Sequence, residues 1–114
     1  MIDIYGIKNC DTMKKAFRWL DEQQIEYRFH DYKKEDLEET QAKLWVEEFG
    51  WESVINKRGT TWRKLDDSIK KAMSNDQAIN IMIAQPSIIK RPILSKNGTT
   101  ILGFTPVDYA NNLL

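Results

Sequence analysis

Apolar and polar residues change their spacing several times along the 114-residue chain, and each change marks an element. In "MIDIYG", Ile2 and Ile4 alternate with Asp3 and the run closes on glycine, which predicts a short strand. In "DTMKKAFRWLDEQ", Met13, Ala16, Phe17 and Leu20 fall at i, i+3, i+4 and i+7, the apolar stripe of a helix. Asp11 and Thr12 are expected to cap its first turn with side-chain oxygens. "IEYRFHDY" returns to period two, with Ile25, Tyr27 and Phe29 set against Glu26, Arg28 and His30. A helix joining two strands makes a right-handed β-α-β unit, so these strands are expected to be parallel.

From 33 to 86 the pattern is helical: Leu37, Leu44, Trp45 and Phe49 up to Gly50, then Trp62, Leu65, Ile69, Ala72 and Met73, then Ala78, Ile79, Met82 and Ile83. Trp45, Trp51 and Trp62 read as core of this stretch, the alternative being an exposed partner surface. "RPILSKNGTTILGF" predicts a hairpin pairing 92–94 with 100–102 across Asn97-Gly98. "TPVDYANNLL" predicts a closing helix with Thr105 as cap and Pro106 at its first position. The order β-α-β, then β-β-α, is that of an α/β thioredoxin-like fold with a mixed four-stranded sheet. A helical insert at about 33–86 would interrupt it between the second and third strands, within a single domain over 1–114.

Lysine and arginine together number 17, as do aspartate and glutamate, so no net field draws the chain to nucleic acid or to an anionic membrane. The apolar runs fall short of the roughly 20 residues of a membrane span, and "MIDIYGIK" has no basic leader. A cytoplasmic monomer is expected. One cysteine and one histidine supply neither an internal disulfide nor an ordinary zinc site, so no metal and no bound cofactor are expected.

The lone Cys10 precedes the helical stripe, in a strand-to-helix loop among Lys8, Asn9 and Asp11. A buried filler would be expected within a strand or on the stripe itself. Helix amino ends carry unpaired amide donors and a positive partial charge, which favour a thiolate and can seat an oxyanion. The helix end alone contributes about 0.3 to 1 kcal/mol, less than one pKa unit at about 1.36 kcal/mol per unit, so fixed cations are required too. Lys8 is local. The distant candidates are Arg58 in "INKRGTT" and Arg91 in "IIKRPIL", both in loop-like segments. Arg91 precedes Pro92, the place in a thioredoxin-like plan of a cis-proline beside the active cysteine, so Arg91 is expected to point at Cys10. His30, at the far end of the second strand, is not expected to serve as its base.

Taken together, "YGIKNCDTMKKA", "NKRGTTWRKL" and "IIKRPIL" resemble the arsenate reductase (ArsC) family, most closely its YffB-like branch, which lies near the Spx regulators. The resemblance spans nearly the whole chain, insert included. It implies that Cys10 is the nucleophile, that Arg58 and Arg91 are catalytic cations and that Pro92 is the cis-proline; Lys8, Asn9, Asp11 and Thr12 around the thiol, with Pro92, are expected to line the substrate site. Two departures stand out. The glutathione-linked arsenate reductases carry a third arginine shortly after the hairpin, where this chain has Gly103 and Phe104; a lost charge-assisted hydrogen bond commonly costs about 1.5 to 3 kcal/mol. Spx-type switches use Cys-x-x-Cys, whereas Cys10 is followed by Asp11, Thr12 and Met13. The expected activity is therefore that of a glutathione-dependent thiol reductase in which Cys10 forms a mixed disulfide with glutathione. One alternative is an arsenate reductase drawing electrons from glutathione and glutaredoxin. Another is an Spx-like regulator that docks on RNA polymerase.

Overall fold

The computed structural model describes residues 1–114, which divide into two compact units, one of Met1–Glu35 with Arg91–Leu114 and one of Asp36–Lys90. The first unit contains all four strands. β1 (Ile2–Gly6) pairs in parallel with β2 (Tyr27–Asp31), and α1 (Asp11–Glu22) crosses between them. β3 (Ile93–Lys96) runs antiparallel to β1 and to β4 (Thr99–Leu102), giving the order β2-β1-β3-β4. The hairpin turns on Asn97 and Gly98, with φ of 48° and 83°. Asn tolerates the left-handed region and Gly enters it without steric cost, which is why this dipeptide closes the turn. α7 (Pro106–Leu113) begins as its sequence requires: the Thr105 hydroxyl accepts from the Asp108 amide at 3.1 Å, and Pro106 sits where no amide hydrogen is needed.

Period two places Ile2, Ile4 and Gly6 on the buried face of β1. Ile2 and Ile4 pack with Met13, Ala16 and Leu20 of α1, Leu94, Ile101 and Tyr109. Burying each large aliphatic side chain contributes about 1.5 to 3 kcal/mol, so this cluster holds α1 on the sheet. Tyr27 and Phe29 lean on it from β2, while Asp31 is the one buried polar residue there.

The second unit holds α2 (Glu39–Phe49), α3 (Trp51–Val54), α4 (Thr60–Arg63), α5 (Asp67–Lys71), α6 (Asn75–Ala84) and a 3-10 turn at Pro86–Ile88. α2 packs on α3 and α6, and the 3-10 turn packs on α6 and α4. Trp45, Val46, Val54, Ile55, Met82, Ile88 and Ile89 are buried. Ile55 and Ile89 form an isolated bridge, with the Asn56 amide donating to the Ile88 carbonyl at 2.8 Å and the Lys90 amide to the Val54 carbonyl at 2.7 Å.

Three expectations are corrected here. The stripe from Trp62 to Met73 is not one helix but two single-turn helices, α4 and α5, without a buried residue between them. Asp66 stays extended (φ −61°, ψ 145°) and starts α5 afresh, which breaks the period. Leu44 falls on the side of α2 away from the buried Ala42, Trp45 and Val46, and both it and Ile83 are exposed. Asp11 and Thr12 do not cap α1. Both fall inside it, and the cap position belongs to Cys10, in extended backbone at φ −142° and ψ 130°. No helix is long and apolar enough to cross a membrane.

Candidate active site

Cys10 sits where β1 hands over to α1. An extended residue at the helix cap leaves the amides of the second and third helical positions unpaired and pointing past its side chain. Those are Thr12 and Met13. Neither closes a tight capping bond on the thiol, yet both aim at the sulfur and stabilise its anion. The side chain of Arg91 hydrogen-bonds the same sulfur and adds its positive charge. Partial burial acts in the opposite sense and is the largest single influence on the thiol. The Met13 amide, Arg91 and the Thr12 amide together outweigh it, so the Cys10 thiol lies below its ordinary value.

Arg91 reaches the site through the backbone around it. The Arg91-Pro92 peptide is cis, Pro92 is buried, and the Pro92 carbonyl accepts from the Gly103 amide at 2.8 Å. Within reach of the arginine's charge, the Tyr32 hydroxyl is buried with no hydrogen-bond partner. Burial raises its pKa far above the usual phenol range; neighbouring Tyr5 raises it further and the Arg91 charge opposes both.

Of the other sequence-predicted residues, Lys8, Asn9 and Asp11 are exposed around the thiol, and Thr12 acts through its amide rather than its hydroxyl. Arg58 belongs to the second unit, exposed in the loop before α4, where its amide donates to Asn56 Oδ1 at 3.2 Å. The neighbouring Lys57 lies 4.9 Å over the Trp51 ring and 5.8 Å over that of Trp62, and the two rings stack at 6.0 Å. These half-buried tryptophans are thus partnered with each other and with a lysine, whereas Trp45 is core. His30 lies in another cluster, with Nε2 2.8 Å from Asp3 and Nδ1 3.2 Å from Glu35, stacked on Tyr5. No group of three or more His, Cys, Asp or Glu side chains is arranged to hold a metal ion.

Sequence reasoning missed one contributor. Met13 was legible only as a core residue, although its amide is the strongest favourable donor to the sulfur. The signal was available: three residues beyond a capping residue is where a first-turn amide returns to it.

A half-buried cysteine with a depressed pKa at a helix amino end, reached by an arginine beside a cis-proline on a thioredoxin-like sheet, defines an arsenate reductase-like protein. The model of the ArsC family matches residues 5–112, and the chain belongs to that family. It is similar to the solved structure of the YFFB (PA3664) protein, with 48% identity and a TM-score of 0.96 over 100% of each chain. The solution structure of an arsenate reductase (ArsC) related protein from Brucella melitensis is 44% identical, with a TM-score of 0.79 over 97% of this chain and 92% of that one. The global transcriptional regulator Spx of Streptococcus mutans is 27% identical over 106 residues, which cover 91% of this chain and 77% of the regulator.

Proposed function

We propose that the protein is a glutathione-dependent thiol reductase of cytoplasmic location in which Cys10 is the nucleophile. The observation that carries this is the convergence of the Met13 and Thr12 amides and the Arg91 side chain on one sulfur, with a net lowering of its pKa. Thiol-disulfide exchange is served by moderate activation, because a thiolate loses nucleophilicity as its pKa falls. The Cys10 thiolate attacks the glutathione sulfur of a glutathionylated substrate. A Cys10-glutathione disulfide forms, the substrate sulfur leaves as a thiolate, and it takes a proton from water. The thiolate of a second glutathione then attacks the bound glutathione sulfur, giving oxidised glutathione and restoring Cys10. In each step one disulfide breaks and one forms.

Arg91 holds the sulfur anionic before attack and again as it leaves. Lys8 is assigned to a carboxylate of glutathione, with Asn9, Asp11, Thr12 and Pro92 shaping the approach, and the protein works as a monomer. The test is intact-protein mass spectrometry after exposure to oxidised glutathione. One glutathionyl adduct on Cys10, removed by reduced glutathione with release of oxidised glutathione, is expected, and a glutathionylated model peptide gives the same adduct with release of its peptide thiol. A protein that stays unmodified while its thiol is alkylated freely overturns the assignment. An arsenate arm, with glutathione and glutaredoxin present, distinguishes the oxyanion alternative.

The similarity to Spx favours a second reading, a regulator that docks on the transcription machinery. Cys10→Ser separates the two, since it abolishes the enzyme and leaves a docking surface intact.

A further inference from the structure

β1 presents Ile2, Ile4 and Gly6 toward α1, so the strand's inward face narrows to a bare Cα where the first turn of the helix begins. A Cβ built at Gly6 would lie 2.5 Å from the Met13 sulfur, 2.8 Å from its terminal methyl and 3.4 Å from the Arg91 Cβ. Unlike Gly50, Gly98 and Gly103, Gly6 does not have a positive φ. A side chain is crowded here by space, not by backbone conformation, and the atoms that crowd it most are the flexible end of Met13.

The two neighbours that fill this space come from the two elements that serve the thiol. Met13 brings the strongest amide donor, and Arg91 the cation. Gly6 itself cannot retreat: it pairs with Asp31 in the parallel ladder, and its carbonyl accepts from the Tyr32 amide at 2.8 Å. The thioether end of Met13 is the flexible part of this contact, but Met13 is fully buried in a core with Ala16 and Leu20, also fully buried, so bulk at position 6 that the thioether cannot absorb bears on the first helical turn and on Arg91.

We propose that Gly6 is a positioning residue of the site, a spacer whose missing side chain sets the separation between the first turn of α1 and Arg91, and through it the reach of their donors to the Cys10 sulfur. Its importance to turnover rests on the thiol-reductase reading above; its effect on the sulfur does not.

The test compares the pH midpoint of Cys10 alkylation by iodoacetamide in the wild type, Gly6→Ala, Met13→Ala and the double variant, with thermal melting in parallel. Gly6→Ala is expected to raise the midpoint by about half a pH unit, a threefold loss of thiolate at neutral pH. Met13→Ala, which removes the packing that seats the first turn, raises it as well. In the double variant the added methyl occupies the space the methionine vacated and brings the midpoint back toward wild type. A purely structural glycine would lower the melting temperature of folded Gly6→Ala and leave its midpoint unchanged, which overturns the proposal. Should Gly6→Ala fail to fold, Met13→Ala and the double variant decide: a double-variant midpoint no lower than that of Met13→Ala overturns the spacer. Wild-type glutathionylation is scored alongside. A midpoint that moves as expected in a protein that takes no glutathione supports the spacer and overturns the reductase.

Discussion

Arg91→Met removes the guanidinium from the Cys10 sulfur and keeps an unbranched stem of similar length, so the Cβ against Gly6 stays in place. Hydrogen bonds to charged groups contribute about 1.5 to 3 kcal/mol. The sulfur is only half-buried and water screens part of the interaction, which leaves roughly 1 kcal/mol. At about 1.36 kcal/mol per unit this corresponds to about 0.7 of a pKa unit upward. The thiolate fraction at neutral pH then falls about fivefold. The higher-pKa thiolate is intrinsically about twice as nucleophilic, so alkylation slows by about two- to threefold. The assay is the iodoacetamide rate from about pH 5 to 10. The expected profile has a later midpoint and a higher alkaline plateau. A midpoint unchanged or lower in folded Arg91→Met would refute the claim that the arginine sustains the anion.

Asp3 offers a test of the cluster around His30. Burial pushes its carboxyl up, but hydrogen bonds from His30 and Arg28 and the Arg28 charge outweigh this, so its pKa lies below the ordinary carboxylate value. A depressed carboxyl stabilises the fold above its unfolded pKa of about 3.9 and loses that contribution as pH falls through the folded value. Asp3→Asn should therefore cost about 0.5 to 1 kcal/mol in urea melts near neutral pH and nothing at the acid end. Tyr109 has a buried hydroxyl without a partner and sits edge-on to Trp19 and Phe104. Tyr109→Phe keeps those contacts and should leave the melting temperature unchanged or raise it, since an unpaired buried hydroxyl costs about 1 to 3 kcal/mol. Leu20→Ala, in the fully buried face of α1, should lower unfolding free energy by about 2 to 5 kcal/mol by denaturant titration.

Sequence by itself determined the parts of this protein that depend on neighbours along the chain. The alternation of Ile2 and Ile4, the stripe of Met13, Ala16 and Leu20, the Asn97-Gly98 turn and the Thr105-Pro106 helix start were all legible, because each rests on local backbone geometry. So was the placing of Cys10 at a helix amino end. Only the tertiary structure decided which face of a periodic segment meets a core and which donors reach the sulfur. Periodicity reports that Trp62, Leu65 and Ile69 share a side, but not that the backbone breaks between them; it counts Leu44 as apolar without showing that nothing covers it. The Arg91-Pro92 step already pointed an arginine at Cys10, but the contacts through which Gly6 spaces Met13 and Arg91 come from sheet pairing between segments far apart in the chain. Such contacts carry no local signature, because the energy that makes them is spread over the packed core of the first unit.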